Sequence, residues 1–328
     1  MGTRPTALVL GGTEFLGIHV VEALLRDGWE VSLFNRGVTN PDLFPALERL
    51  TGDRDHDASA LAGRSWDVVY DLSGFHPDQI TRVAEHLTGG CGHYVFVSTV
   101  SVYAGFTEPG MTEEAPLAEL PGPVPDKIDQ ASYGAGKALC ERRVAERFES
   151  HTIVRPTIIA GPHDPTPRFT YWPVRLCEPG PHLVPPRLDV PVQYLDARDL
   201  ADWLVRVGAG RIAGVYNAAA DPMPFADFLD QVVAGIDAQL QAVRLTVEQA
   251  EAAGLRPWVD LPLWLPPAET AMRGFLQVDA TAAQAQGLRT RPLADTAADT
   301  LAWALEGAAP DFALTREREA EIIAAHRD

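Results

Sequence analysis

Near its N-terminus the chain reads Thr6-Ala7-Leu8-Val9-Leu10-Gly11-Gly12-Thr13-Glu14-Phe15-Leu16-Gly17. The apolar segment Thr6–Leu10 predicts a buried strand, and the periodicity of Ile18–Asp27 predicts a helix directly after the glycines. Glycine allows the backbone to turn sharply and to approach a pyrophosphate, while a helix N-terminus offers unpaired N–H groups and a positive dipole end. The segment therefore predicts a nucleotide-binding turn, although a tight strand–helix connection without a ligand has the same glycines.

The alternation of apolar segments and helical stretches continues through the first half of the chain. Further strands are predicted at Glu30–Asn35, Asp67–Leu72, His93–Ser98 and Thr152–Arg155, with a weaker one at Leu50–Thr51; helices are predicted at Asp78–His86 and Tyr133–Phe148. Strands that are apolar almost throughout are typical of a parallel sheet that is covered by helices on both faces. We predict an α/β fold with a doubly wound parallel sheet.

The composition of the chain changes after Arg155. Prolines cluster at 162–173 and 179–191, and isolated strands such as Val192–Leu195 and Gly214–Asn217 alternate with single helices. We predict a dinucleotide-binding domain over residues 1–160. Residues 161–328 are predicted to form mainly a small C-terminal substrate-binding lobe, with segments near 190–220 returning to the main sheet.

The overall charge limits the kind of partner that this chain can have. The formal net charge of −18 repels phosphate backbones and anionic lipids, so we predict no nucleic-acid partner and no membrane association. The cysteines Cys91, Cys140 and Cys177 have no metal-ligand spacing, which indicates a reducing compartment and no metal site. Met1–Pro5 leads directly into the first strand, so we expect no signal peptide and a cytoplasmic protein. A small-molecule substrate is expected, and a homodimer is left open.

The end of the second predicted strand bears on the choice of cofactor. A site for NAD usually places an acidic residue here to bind the ribose 2′-hydroxyl. This chain has Asn35-Arg36 instead, and the planar guanidinium of Arg36 is suited to a 2′-phosphate. NADP(H) is therefore favoured over NAD(H), unless Arg36 is an ordinary solvated turn residue.

A tyrosine and a lysine four residues apart open the predicted helix at Tyr133. This spacing puts the phenol of Tyr133 and the ammonium of Lys137 on one helical face, where the ammonium favours the phenolate and lowers the tyrosine pKa. An exposed i,i+4 pair without a function has the same spacing. The chain has only two lysines, Lys127 and Lys137, among 27 basic residues, so a lysine at this position is notable. Thr99 follows a neighbouring strand and brings a hydroxyl to the same crevice.

Taken together, these motifs resemble the extended short-chain dehydrogenase/reductase family, in the NAD-dependent epimerase/dehydratase superfamily. Thr99–Gly105 is similar to the family segment S-[ST]-x-x-V-Y-G, with Ala104 before the glycine, and Gly11–Gly17 is similar to its GxxGxxG turn. Glu14 replaces the middle glycine, and we expect its side chain to point away from the pyrophosphate, towards Arg54 or Arg36.

The resemblance implies a Rossmann fold, with Tyr133 as general acid/base, Lys137 at the ribose and Thr99 at the reacting oxygen. The implied cofactor-binding residues are Gly11, Gly12, Thr13, Phe15, Leu16, Gly17, Asn35, Arg36, Asp53, Leu72, Ser73, Gly74, Tyr133, Lys137, Pro156 and Ile158. Substrate candidates, each with an equally ordinary structural explanation, are Phe75, His76, Ser101, His163, Arg168 and Trp172.

Two departures from the family bear on the substrate. Nucleotide-sugar enzymes commonly carry asparagine where this chain has Ile158, and sugar dehydratases carry an acidic pair where it has Val100 and Ser101. We therefore expect an NADP(H)-dependent reductase or dehydrogenase, with a nucleotide-sugar epimerase or dehydratase as the alternative. Gly-Gly-Thr-x-Phe-x-Gly and Val69-Tyr70-Asp71 also resemble a branch with chloroplast stem-loop-binding proteins, which implies a non-enzymatic RNA-binding alternative that the charge argues against.

Overall fold

The structure is a computed structural model that describes residues 4–87 and 89–326. Its strands are β1 Thr6–Leu10, β2 Glu30–Asn35, β3 Glu48–Thr51, β4 Val68–Asp71, β5 Tyr94–Val97, β6 His151–Pro156, β7 Ile158–Ala160, β8 Pro181–Val184, β9 Pro191–Val192, β10 Tyr194–Asp196, β11 Gly214–Ala218, β12 Met223–Pro224 and β13 Gln241–Arg244. Its α-helices are α1 Leu16–Arg26, α2 Pro77–Leu87, α3 Tyr133–Arg147, α4 Pro167–Leu176, α5 Ala197–Gly210, α6 Phe225–Gly235, α7 Val247–Ala252, α8 Thr281–Ala285, α9 Leu293–Trp303 and α10 Arg316–Ala325.

Seven of these strands form one parallel sheet in the order β11-β6-β5-β4-β1-β2-β3. Because β1 lies between β2 and β4, the chain reverses direction across the sheet after β3 and opens a crevice at the carboxyl ends of the central strands. The predicted α/β class with a doubly wound parallel sheet is confirmed.

The two faces of the sheet bury alternate side chains of the same strands. Val9 packs against α1 and α5 on one face, whereas Leu8 and Leu10 pack against α2 and α3 on the other. All three side chains are at most 1% exposed. Burial on both sides explains why the strand residues are apolar without alternation.

The C-terminal lobe has its own hydrophobic core. Helices α4, α6 and α9 surround a cluster of aromatic residues that includes Phe169, Trp172, Phe225 and Phe228. This core is separate from the two cores of the sheet, so the lobe can form one wall of the crevice without interrupting the sheet.

Only one of the two later strands that were expected to return to the main sheet does so. Gly214–Ala218 pairs with β6 at the edge of the sheet. The predicted strand Val192–Leu195 is instead divided between β9 and β10, which pair with β12 and β7 in separate two-stranded sheets. The predicted domain ranges 1–160 and 161–328 include positions 1–3, 88, 327 and 328, which lie outside the described residues.

No helix within residues 4–87 and 89–326 is both long enough and apolar enough to cross a membrane.

Candidate functional site

A cleft of about 1340 Å³ lies at the carboxyl ends of the central strands, between the sheet and the C-terminal lobe. Leu10, Asn35, Leu72, Ser98 and Pro156 line it at or just after the ends of β1, β2, β4, β5 and β6. In doubly wound folds this edge, at the reversal of strand order, is where ligands bind.

The glycine turn forms a close-packed backbone cradle at one end of the cleft. At Gly12, where φ is +90°, an added Cβ would lie 2.9 Å from Cδ2 of Leu33. At Gly17 it would lie 2.8 Å from the Cα of Gly12, so the first turn of α1 rests directly on the glycine turn. The Asn35 amide holds the turn by donating to the Gly11 carbonyl oxygen over 2.9 Å. This cradle fits a pyrophosphate, because it exposes backbone N–H groups without side chains in the way.

Glu14 does not reach either of its expected partners. Its side chain is exposed and forms no ion pair with the described residues, while Arg54 is occupied by another carboxylate. Arg36 is exposed at the end of β2 and lines the cleft. The pKa of the nearby Asp53 carboxyl is lowered, mainly by the backbone N–H of Asp55 and in part by the charge of Arg36. This end of the cleft can therefore offer a cation to a ribose phosphate.

Thr99, Ser101 and Tyr133 bring three hydroxyls together in the middle of the cleft. Thr99 caps the short helical turn after β5, because its Oγ1 accepts from the Ser101 backbone N–H over 3.1 Å. Burial raises the pKa of the Tyr133 phenol above its usual value of 10.0, whereas a hydrogen bond with Thr99 and the charge of Arg168 partly oppose the rise. The phenol therefore holds its proton at neutral pH and can donate it to a substrate oxygen.

Lys137 lies behind Tyr133 and is 2% exposed. Its Nζ donates to the carbonyl oxygens of Gly74 and Val97, each over 2.7 Å, and lies 4.2 Å from the ring centroid of Phe96. Burial lowers the pKa of Lys137 to about 8. The expectation that Lys137 lowers the Tyr133 pKa is wrong for this arrangement, because the ammonium is directed at the two carbonyls and the net shift of the phenol is upward.

A buried ion pair beneath the cleft was not predicted. The guanidinium of Arg54 donates to both carboxylate oxygens of Asp71, over 2.6 and 2.7 Å, and the Tyr94 hydroxyl donates to the same carboxylate over 2.6 Å. Burial alone raises the pKa of Asp71, but Arg54 and Tyr94 outweigh it and the net shift is downward. The one sequence signal was an aspartate that ends an otherwise apolar strand, Val69-Tyr70-Asp71.

Most of the predicted site residues line this one cleft. They are Gly11, Gly12, Thr13, Phe15, Leu16, Gly17, Asn35, Arg36, Asp53, Leu72, Ser73, Phe75, Thr99, Ser101, Tyr133, Lys137, Pro156, Ile158 and Arg168. Gly74, His76, His163 and Trp172 do not line it. Gly74 is close behind the wall, where its carbonyl accepts from Lys137.

Three substrate candidates have structural roles instead. Trp172 is fully buried in the core of the C-terminal lobe, and its Nε1 donates to the Pro262 carbonyl oxygen over 3.0 Å. His163 packs between the rings of His19 and Trp303, with centroid distances of 5.6 and 5.7 Å. His76 makes a 3.2 Å ring-nitrogen contact with the Pro125 carbonyl oxygen and does not line the cleft. In the structure these three side chains therefore contact other parts of the protein and do not line the cleft.

The sequence also did not reveal the far wall of the cleft, which five residues of two distant segments form together. These residues are Phe106, Trp258, Leu265, Met272 and Phe275. In the part of the chain that the structure describes, no group of three or more His, Cys, Asp or Glu is placed to hold a metal ion.

Comparison with known proteins shows that this chain is similar to curated relatives, to solved structures and to a family model. The chloroplast stem-loop binding protein of 41 kDa b from Arabidopsis thaliana is 28% identical over 171 residues, which are 47% of this chain and 42% of that protein. The sterol-4-alpha-carboxylate 3-dehydrogenase (decarboxylating) from Homo sapiens is 28% identical over 178 residues, which are 48% of this chain and 45% of that protein. The chain thus spans about half the length of the curated relatives that it matches.

Among solved structures, the UDP-glucose 4-epimerase from Bifidobacterium longum in complex with NAD+ and UDP has a TM-score of 0.64 and 18% identity. The match covers 92% of this chain and 98% of that chain, and it shows a shared fold. The model of the family described as "NAD dependent epimerase/dehydratase family" matches residues 7–219, from β1 to the end of β11. That match covers more than half of the chain, and it confirms the predicted resemblance: the protein belongs to the NAD-dependent epimerase/dehydratase family.

Proposed function

We propose that this protein is an enzyme that acts with a nicotinamide dinucleotide at a hydroxyl-bearing carbon of a small substrate. The observation that carries the proposal is that Thr99, Tyr133 and Lys137 converge in the same cleft as the glycine cradle. The dinucleotide, when bound, supplies a hydride acceptor and donor. Gly11, Gly12 and Gly17 would hold its pyrophosphate, and Arg36 lies where a ribose phosphate needs a cation.

The chain's own residues supply the proton chemistry. Thr99 orients the substrate oxygen, because its hydroxyl lies beside the phenol of Tyr133. Tyr133 gives a proton to that oxygen when a carbonyl is reduced, and its phenolate takes one when an alcohol is oxidised. Because burial raises the pKa of the phenol, the oxidation direction gains at alkaline pH, where more phenolate is present. The ring of Phe75, which is about half exposed, lies 6.4 Å from the ring of Tyr133, centroid to centroid.

The same groups support two overall reactions. In an epimerase or dehydratase the hydride returns to the substrate within each turnover, and we favour this form because the family and the epimerase fold match support it. In a net reductase or dehydrogenase the cofactor leaves in the other redox state. Arg36 and the dehydrogenase among the relatives support this second form, with NADP(H) preferred over NAD(H).

One experiment separates the two forms. The purified protein is incubated with NADP+, NAD+, NADPH or NADH and a panel of sugars and ketones, and absorbance at the nicotinamide band is followed beside product analysis. Product formation without net nicotinamide consumption supports the epimerase or dehydratase form, whereas stoichiometric consumption supports the reductase. Failure to bind either nucleotide would contradict the proposal as a whole.

Two further features of the protein remain proposals. The absence of disulfides among Cys91, Cys140 and Cys177 supports a reducing, cytoplasmic location. A homodimer is compatible with the fold, and sedimentation measurements would test it.

A further inference from the structure

We propose that the substrate of this cleft has an apolar body and one anionic group, which Arg168 binds close to the reacting hydroxyl. This proposal rests on the proposed function, since it assigns the substrate class of the same site. It separates this chain from enzymes whose substrates carry a nucleoside diphosphate.

Arg168 is the residue that would bind the anion. It lies in the first turn of α4, lines the cleft and is half-buried. Its Nε donates to Thr166 Oγ1 over 3.1 Å, and its guanidinium forms no ion pair with any carboxylate in the described part of the chain. Arg168 and Tyr133 both line the cleft, and the positive charge of Arg168 acts to lower the pKa of the Tyr133 phenol.

The N-terminus of α4 adds to this positive site. The helix has ten residues, and the side chain of its N-cap, Thr166, does not cap it. The Thr166 hydroxyl donates instead to Asp164 Oδ1 over 2.8 Å. Pro167, the first residue of α4, has no N–H, so the backbone N–H groups of Arg168 and Phe169 are the ones at this end that have no intrahelical or capping partner. An unpaired guanidinium at an uncapped helix N-terminus is suited to a carboxylate or a single phosphate.

The far wall of the cleft, which Phe106, Trp258, Leu265, Met272 and Phe275 form, is apolar. Phe275 packs edge-on against Phe106 and Trp258, with ring-centroid distances of 4.9 and 5.7 Å, and Leu265 and Met272 extend the same surface. These contacts hold the aromatic rings in a fixed wall. Such a wall stabilises a ligand by removing its apolar surface from water, at about 25 cal/mol for each Å².

The charges around the substrate half of the cleft do not suit a diphosphate. We define the substrate half as the lining residues Ser101, Tyr103, Phe106, Ala118, Glu119, Gln130, Ala131, Pro165, Thr166, Arg168, Trp258, Leu265, Met272 and Phe275. Its charged members are Arg168 and the carboxylate of Glu119. The other cations of the cleft lie elsewhere: Arg36 is at the glycine-turn end, Arg54 is paired with Asp71 and Lys137 is bonded to two carbonyls. A diphosphate would thus meet one cation and one carboxylate.

Binding measurements on NADPH-loaded protein test the proposal, because an alcohol cannot be reduced and forms a stable complex. The probes are 3-hydroxybutyrate, 3-hydroxyoctanoate, the methyl ester of 3-hydroxyoctanoate, and UDP-glucose. We expect 3-hydroxyoctanoate to bind at least about 20-fold more tightly than 3-hydroxybutyrate, because four added methylenes are buried. The ester should bind about 10-fold more weakly than the acid, since it lacks the charge-assisted hydrogen bonds.

Variants assign the anion preference to one side chain. In Arg168→Gln the acid should lose most of its advantage over the ester, and in Arg168→Lys it should keep part of that advantage because the charge remains. Affinity for the ester should stay the same in both variants. Arg244→Gln is the matched control, because Arg244 is an exposed arginine of the same lobe outside the cleft. The acid–ester comparison in the unaltered protein does not depend on the folding of any variant.

Two results would overturn the substrate class while the proposed function stands. One is that NADPH binds but the acid and its ester bind equally, and the other is that UDP-glucose binds more tightly than 3-hydroxyoctanoate. If neither NADPH nor NADH binds, a result that is visible before any probe is added, the proposed function itself fails and the substrate class fails with it.

Discussion

The Nζ of Lys137 donates a hydrogen bond to the carbonyl oxygen of Val97 over 2.7 Å. Val97 is the last residue of β5 and Lys137 lies one turn inside α3, so this bond fastens the helix that carries Tyr133 to the strand that leads to Thr99. The relative positions of phenol and hydroxyl therefore depend on a buried ammonium. Lys137 positions the catalytic pair in addition to its proposed role at the cofactor.

The burial of Lys137 predicts an unusual titration. Its pKa lies at about 8, below the 10.5 of an ordinary lysine, so NMR of lysine-labelled protein should show one signal titrating near pH 8. With only two lysines in the chain, a Lys127→Arg variant assigns the signals. Asp71→Asn should lower the Lys137 pKa further, because the Asp71 charge raises it. A Lys137 signal that does not titrate below pH 10 would contradict this burial.

The lowered pKa of Lys137 also predicts how the free energy of unfolding depends on pH. Between pH 8 and 10.5 the unfolded chain binds more protons at Lys137 than the folded chain does. This group therefore makes the free energy of unfolding rise with pH across that window. Urea unfolding of Lys137→Met, compared with the unaltered protein at pH 7.5 and 9.5, should lack that rise. The prediction would be contradicted if the free energy of unfolding depended on pH in the same way in both proteins.

Tyr133, Lys137 and Thr99 are predicted to act as one unit. Tyr133→Phe removes the exchangeable proton but keeps the ring, so turnover should fall by about 10²–10⁴ while affinity for the nucleotide stays the same. Lys137→Met should reduce both turnover and affinity for the nucleotide. Turnover of the double variant Tyr133→Phe/Lys137→Met should be little lower than that of the slower single variant. Single-turnover rates and nucleotide titrations measure these effects. If Tyr133→Phe keeps nearly full activity, Tyr133 and Lys137 are an ordinary i,i+4 pair without a catalytic role.

The fold could be predicted from sequence because its signals are local. The strands at Thr6–Leu10 and Glu30–Asn35 were predicted with the bounds that the structure has, since each contains several apolar residues and ends at a turn. The predicted strand Val192–Leu195 is instead two strands, β9 and β10, because its two ends pair with different partners. These partners, β12 and β7, lie far from it in sequence. Periodicity reports which residues are buried, but it does not report which strand pairs with which.

The site could be predicted only as far as its motifs are local. Tyr133 and Lys137 are four residues apart, and the glycine turn is continuous, so spacing alone indicated both. The pair of Arg54 with Asp71 and the wall that joins Phe106 to Phe275 depend on tertiary contacts that no spacing encodes. Trp172 shows the opposite error, because a large aromatic near a predicted site is more often part of the core.

Arg36 is predicted to set the preference between the two nucleotides. NADPH should bind more tightly than NADH, and Arg36→Ala should remove about 1–3 kcal/mol of that difference by loss of a charge-assisted contact with the 2′-phosphate. Calorimetry with both nucleotides measures it, with Arg244→Ala as the control for loss of one positive charge. Equal affinities in the unaltered protein, or tighter binding of NADH, would show that Arg36 is an ordinary turn residue.

The ion pair of Arg54 and Asp71 is predicted to be essential for stability. Asp71→Asn should lower the free energy of unfolding by about 3–5 kcal/mol, because it leaves the buried Arg54 guanidinium without a counter-charge. The double variant Arg54→Met/Asp71→Leu should lose less, since it buries no charge. Urea unfolding measures both, and Arg187→Ala in the exposed pair with Asp189 should leave the midpoint unchanged. If Asp71→Asn leaves the free energy of unfolding unchanged, water must reach the Arg54 guanidinium.

The stem-loop binding protein among the relatives makes RNA a useful negative test. At a formal charge of −18 we expect no tight RNA binding at physiological salt, because few counterions would be released. A gel-shift titration with structured RNA at two salt concentrations measures this. Submicromolar binding would place RNA association ahead of the enzymatic proposal.

The position of β11 at the edge of the sheet has a consequence for synthesis. β11 pairs with β6, yet 57 residues separate the end of one from the start of the other, and that interval contributes α4 to the C-terminal lobe. While the chain emerges from the ribosome, the outer edge of β6 stays unpaired until residues 214–218 have left the exit tunnel. An unpaired apolar edge strand is a site for association between nascent chains. Ribosome pausing shortly before this strand should therefore increase aggregation more than pausing shortly after it.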